Sequence, residues 1–165
     1  MSYTLNQIRE LTVSDVMQGT VLAADADWSL EMLTDFLVDN GISGAPVTTN
    51  GDELVGVVSL TDIVRQNQAQ DSNVDADNTH DVYLYELERH VGKEELKIFH
   101  TQYDSPVRVR DIMTPMIFSV SDDTSLQEVA ETMLRGRIHR VFVTNETKLT
   151  GIATTLDILQ VIRDI

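Results

Sequence analysis

At 165 residues with a net charge of −15, the chain is long enough to bury a core but has the wrong sign for general nucleic-acid or anionic-membrane binding, which needs a basic footprint. It has no cysteine, which excludes a disulfide frame, a zinc-thiolate centre and a cysteine nucleophile. No apolar run is long enough to span a bilayer and the N-terminus lacks a basic region followed by an apolar one, so a soluble, cytoplasmic protein is expected.

Residues 1–12 read as a lead-in with a helical turn whose Leu5, Ile8 and Leu11 pack back, and residues 13–21 as an extended segment. Asp27 or Ser29 can cap a helix with Leu30, Leu33 and Leu37 at helical spacing and Met32 and Phe36 alongside. Asn40-Gly41 ends it, because glycine takes the left-handed C-terminal position readily. Residues 42–48 predict a strand, with Pro46 pointing to an edge or irregular place, and Asn50-Gly51-Asp52 predicts a hairpin turn. A second strand over 54–59 and a helix from Leu60 to about Arg65 close this part.

Residues 66–79 are polar and acidic and predict a loop, after which Leu84, Leu87 and Val91 restore a helical pattern, with a second amphipathic piece over 94–99. From Pro106 the earlier order of signals returns. Thr124 or Ser125 caps a helix, with Gln127 or Glu128 completing a capping box, and Leu126, Val129, Ala130, Met133 and Leu134 form its buried stripe. A strand over 141–143, a turn at Glu146-Thr147-Lys148, a strand over 149–153 and a helix over 156–162 follow.

The chain is a tandem repeat. Gly56-Val57-Val58-Ser59-Leu60-Thr61-Asp62 returns as Gly151-Ile152-Ala153-Thr154-Thr155-Leu156-Asp157, and Asp15-Val16-Met17 returns as Asp111-Ile112-Met113. Met17 and Met113 stand 96 apart and Asp62 and Asp157 stand 95 apart, so the copies differ by one residue in a turn. The expected fold class is α+β: two repeats, each a small sheet with helices, packed as a pseudo-twofold pair. Expected boundaries are 1–65 for the first repeat with its lead-in, 66–106 for a loop and helical insertion, and 107–165 for the second repeat.

Asp-Ile-Met-Thr-Pro at 111–115, Arg-Ile-His-Arg-Val-Phe-Val at 137–143 and Gly-Ile-Ala-Thr-Thr-Leu-Asp-Ile at 151–158, with their counterparts in the first copy, resemble the CBS domain. The resemblance covers roughly 11–65 and 107–162 and implies a tandem pair, or Bateman module. Such pairs commonly bind adenosine compounds in clefts between the copies and commonly associate as dimers.

Ser59-x-x-Asp62 and Thr154-x-x-Asp157 are, as residue patterns, helix-capping sequences that need no ligand. A carboxylate can also accept two hydrogen bonds from the vicinal hydroxyls of a ribose, and the resemblance implies that Asp62 and Asp157 do so, with Ser59 and Thr154 nearby. Residues 1–88 hold two bases against sixteen acids, whereas Arg135, Arg137 and Arg140 cluster around His139. An anionic ligand would place its charge at that cluster, since arginine donates parallel bonds to phosphate. The run Arg137-Ile138-His139-Arg140 also resembles the matching strand of the gamma subunit of the AMP-activated protein kinase, which implies phosphate contacts by His139 and Arg140. Ser43 and Gly44 occupy these two places in the first copy.

The resemblance further implies that Thr20, Val21, Met116 and Ile117 hold the base, with Val58, Ala153, Ile42 and Ile138 as walls, although each taken alone reads far more readily as core. His80, His90 and His100 form no metal-binding spacing, and no nucleophile elbow, P-loop or dinucleotide fingerprint is present. No catalysis, metal or catalytic cofactor is expected. The expected function is regulatory sensing of an adenine nucleotide (AMP, ADP or ATP), by a homodimer. The alternatives are an assembly scaffold with empty clefts and a sensor of another adenosine compound such as S-adenosylmethionine.

Overall fold

A computed structural model describes residues 4–70, 106–115 and 117–164. In chain order the elements are α1 (Leu5–Glu10), a 3-10 turn (Val13–Asp15), β1 (Ala24–Asp25), α2 (Leu30–Asn40), β2 (Gly44–Thr49), β3 (Glu53–Ser59) and α3 (Leu60–Gln70). From residue 106 onward come α4 (Val109–Ile112), β4 (Ser119–Ser121), α5 (Leu126–Gly136), β5 (Arg140–Asn145), β6 (Lys148–Thr154) and α6 (Thr155–Arg163). The helical pattern expected within 80–99 lies outside the described residues. The loop expected from residue 66 does not begin there: α3 continues to Gln70, because glutamine and alanine favour the helix.

The two long helices begin and end where their caps dictate. Ser29 Oγ accepts from Met32 N–H at 3.2 Å, Leu30, Leu33 and Leu37 are buried, and Gly41 closes α2 at φ 64°. In α5, Ser125 and Glu128 cap each other reciprocally, and Leu126, Val129 and Met133 turn inward. Leu134 departs from the expected stripe and is 75% exposed, since it lies further round the helix than Ala130, which is itself half-buried. Met32 is exposed likewise, whereas Phe36 packs edge-on against Trp28 with ring centroids 5.2 Å apart.

The chain divides into two compact units. Unit 2 comprises Leu22–Asn50 and Val55–Met116. Its strands run in the order β1, β2, β3, with β1 parallel to β2 through Ala24↔Val47 and Asp25↔Thr48. Pro46 therefore does not mark an edge strand. It is tolerated because pairing with β1 starts only at Val47. Asn50, Gly51 and Asp52 all take positive φ in the turn that follows β2. The core gathers Leu33, Leu37, Val47, Val58, Ile63 and Val109.

Unit 1 comprises Met1–Val21, Gly51–Leu54 and Ile117–Ile165. Here β4 runs parallel to β5 from Ser119↔Phe142 to Ser121↔Thr144, and β5 runs antiparallel to β6 from Arg140↔Thr154 to Asn145↔Lys148. Each expected hairpin thus gains a short parallel strand too brief to show in the sequence pattern. Val13, Val129, Met133, Ile138, Val141, Val143 and Ala153 form the core.

The units are cut differently from the repeats, because the leading segments have changed places. Gln18 N–H donates to Ile152 O at 2.9 Å and accepts from Ile152 N–H at 3.0 Å. Thr114 N–H donates to Val57 O at 2.8 Å and accepts from Val57 N–H at 3.0 Å in the same way. Two glycines permit this approach. A Cβ on Gly56 would lie 2.8 Å from Met113 Sδ and 2.9 Å from Thr114 O; one on Gly151 would meet Met17 Sδ, Met17 Cγ at 3.0 Å and Gln18 O at 3.1 Å. The methionine of each repeat and the glycine of the other are two halves of one contact.

Candidate functional site

In unit 1 the antiparallel register of β5 and β6 sets Arg140 directly opposite Thr154. One residue on, Thr155 N–H donates to His139 O at 2.9 Å, tying the start of α6 to the start of β5. Thr154 is the N-cap of α6: its N–H and Oγ1 both donate to Asp157 Oδ2, at 2.7 and 2.6 Å, and Asp157 N–H returns a longer bond of 3.4 Å to Oγ1. The capping reading of this motif is correct. It leaves Asp157, 8% exposed, with Oδ1 unused among the described residues. A carboxylate oxygen has two lone pairs, so Oδ1 can accept from one or two hydroxyls while Oδ2 holds the helix. His139 is exposed and Arg140, at the first position of β5, is half-buried.

Unit 2 repeats the backbone of this arrangement. Leu60 N–H donates to Ser43 O at 2.9 Å, the counterpart of the bond from Thr155 to His139, which places Ser43 and Gly44 at the His139 and Arg140 positions. Asp62 is 5% exposed, and its Oδ2 accepts from Ser59 N–H and Oγ at 2.8 and 2.9 Å. Its Oδ1 faces Arg65 Nη1 at 3.9 Å. Burial pushes the Asp62 carboxyl above the ordinary aspartate value, against the hydrogen bonds from Ser59 and the charge of Arg65, which pull it down. Arg65 was not among the residues singled out from the sequence; its position one helical turn after Asp62 is the signal that finds it. The second repeat has Gln160 at the matching place.

The remaining candidates separate by unit. Thr20, Val21, Ile117, Ile138 and Ala153 belong to unit 1 with Asp157, whereas Ile42 and Val58 belong to unit 2 with Asp62. Thr20 is exposed and Val21 and Ile117 are half-buried, and the segment of Thr20 and Val21 meets β6 at Gln18. Val58 and Ala153 have no exposed surface and Ile138 almost none, so all three are core side chains; Ile42 packs on the edge of its core. Met116 lies outside the described residues.

No helix among the described residues is long and apolar enough to cross a membrane. The chain is 27% identical over 155 residues to an uncharacterized protein, MJ1426, of Methanocaldococcus jannaschii, covering 91% of this chain and 90% of that one. It is 30% identical over 134 residues to the chloroplastic CBS domain-containing protein CBSX2 of Arabidopsis thaliana, covering 76% of this chain and 52% of that protein, about half its length. A crystal structure of CBSX2 in complex with AMP superposes with a TM-score of 0.61 at 25% identity, covering 92% of this chain and 96% of the other. The model of the CBS domain matches residues 13–68 and again 109–164. Two matched repeats, each carrying the capped aspartate at the head of its last helix, make this chain a member of the CBS domain family, as a tandem pair.

Proposed function

We propose that the chain is a regulatory module that binds an adenine nucleotide, with Asp157 holding the ribose and His139 and Arg140 offsetting the phosphate. The observation that carries this is the arrangement in unit 1: a buried carboxylate with one oxygen spent on its helix cap, on a helix whose N-cap, Thr154, is paired across the sheet with Arg140. Charge-assisted bonds of this kind contribute about 1.5–3 kcal/mol each. The AMP complex of a relative with 25% identity supports adenosine as the common part of the ligand. AMP, ADP and ATP offer a phosphate to Arg140, which S-adenosylmethionine lacks. Binding regulates only through different affinity for two arrangements of the protein, and the reading assigns no catalytic step to the chain. Titration calorimetry with AMP, ADP, ATP and S-adenosylmethionine, paired with thermal unfolding, tests it. Saturable stabilisation by the nucleotides is expected, and a flat response to all four sinks the reading in favour of an interaction scaffold.

The same reading includes a homodimer. Leu134 on α5 and Leu156, Leu159 and Ile162 on α6 form an exposed apolar face. The basic residues at its border are paired, Arg135 with Glu131 and Arg163 with Asp164, so a second copy can approach there despite the net charge of −15. Sedimentation of Leu159→Glu against the wild type checks this: a dimer that becomes a monomer is expected, and a wild-type monomer at all concentrations refutes it.

A further inference from the structure

The chain has six methionines and no cysteine, so thioethers are its only sulfur. Two of them hold the crossed leading segments in place. A valine with no exposed surface anchors each segment, Val13 in one and Val109 in the other. Four residues on, the methionine donates its N–H back to that valine's carbonyl, at 2.8 Å for Met17 and 2.9 Å for Met113. The next residue makes the two-way bridge to the sheet, Gln18 to Ile152 and Thr114 to Val57. Between anchor and bridge, the thioether sits over a glycine: Met17 Sδ fills the space that a Cβ on Gly151 would take, and Met113 Sδ lies 2.8 Å from the corresponding point on Gly56. Both methionines pack on the core of their own unit yet remain half-buried. Two other methionines supply a contrast, since Met32 is 51% exposed and Met133, in the core, only 3%.

We propose that Met17 and Met113 are paired sites of reversible oxidation by a peroxide, through which an oxidant loosens the crossed segments. The sulfur lone pair attacks one peroxide oxygen while the O–O bond breaks. An S–O bond forms, and the departing hydroxide takes up the proton and leaves as water. The sulfur loses two electrons and the peroxide gains them. The product, a sulfoxide, is polar where the thioether was apolar, and reductases return it to the thioether. On the glycine side the added oxygen has no room, because even a methyl there would stand 2.9 Å from Thr114 O in one unit and 3.1 Å from Gln18 O in the other. Turned away from the glycine, it sets an unpaired polar group against the core on which the sulfur packs. In either position the neighbouring bridge gives way. The same chemistry acts on both units, since each repeat contributes one methionine and one glycine. This inference concerns the scaffold and stands apart from the adenosine reading.

The test exposes the full chain to hydrogen peroxide for increasing times, locates the added oxygen by peptide mass spectrometry and follows thermal unfolding. Met32 is expected to gain oxygen first, with the midpoint held within about 1 °C. Met17 and Met113 follow, and the midpoint falls in step with them by about 4–8 °C, while Met133 reacts last. The double variant Met17→Leu with Met113→Leu keeps its midpoint under the same exposure. Treating the oxidised wild type with the two epimer-specific methionine sulfoxide reductases restores its midpoint as the two sulfoxides disappear. A wild type whose midpoint holds while both residues carry oxygen overturns the proposal. So does a double variant that falls as far as the wild type, or a pair that stays unoxidised until Met133 reacts. Should the double variant fail to fold, the reductase decides: a midpoint that stays low after both sulfoxides are reduced overturns the proposal as well.

Discussion

The bonds from Leu60 N–H to Ser43 O and from Thr155 N–H to His139 O are both 2.9 Å long, and each helix after them carries a buried aspartate on its cap. What surrounds those aspartates is not alike. In unit 1 the strand opposite supplies Arg140, and His139 and Arg137 stand exposed beside it. In unit 2 those places hold Gly41, Ser43 and Gly44, and the cation that faces Asp62, Arg65, comes from the same helix. The helices differ as well: Val38 is buried where its counterpart Leu134 is exposed. Duplication kept the backbone and the cap, and divergence acted on charge and on the outer helical face. A common scaffold therefore does not imply a common ligand affinity.

The sharpest way to break this comparison is to remove the two carboxylates in turn. Asp157→Ala should weaken AMP binding by about 10- to 100-fold, whereas Asp62→Ala should leave most of it, as measured by calorimetry. Equal losses would mean that the charge difference has no consequence for the ligand. Next in size are the glycines, which test what the repeats share. Gly56→Ala and Gly151→Ala should each destabilise the protein by about 1–3 kcal/mol in denaturant unfolding, because the new methyl meets a backbone oxygen as well as a methionine. A cost at one position only would show that the two contacts are not equivalent.

These contacts mark the limit of what the sequence discloses. Caps and turns are local, and Ser29, Gly41, Ser125, Thr154 and the run of residues 50–52 are legible because their chemistry is fixed within four residues. The methionines and glycines were visible as repeated signals, but nothing local says that Met17 lies against Gly151, since the pairing joins segments more than a hundred residues apart. The site shows the same division. Thr154 and Asp157 follow from a capping pattern, while the placement of Arg140 opposite Thr154 depends on strand register, and Arg65 as a competitor for Asp62 depends on the helix that carries both.

Smaller effects sharpen the comparison further. Ser125→Ala should cost about 1 kcal/mol in thermal unfolding and more than Ser29→Ala, because Ser125 shares a reciprocal box with Glu128. The smallest concerns pH. Burial raises the Asp62 carboxyl in the folded state, so its contribution to stability is fully present below the unfolded value and is lost as pH rises through the folded one. Asp62→Asn, which cannot ionise, should therefore gain on the wild type between about pH 4 and neutrality, read from unfolding midpoints across that range. A difference that shrinks as pH rises would assign Asp62 the opposite sign.

The crossed leading segments also bear on how such a chain can be shortened. Residues 12–18 complete the unit that contains β6, and residues 108–114 complete the one that contains β3. A gene trimmed to either repeat at its sequence boundary would encode a sheet without this bridge, leaving the backbone donor and acceptor of Val57 or Ile152 open to any passing strand. The survivor would have to fold its own lead-in back onto itself or recruit one from another molecule, so the duplication is hard to undo.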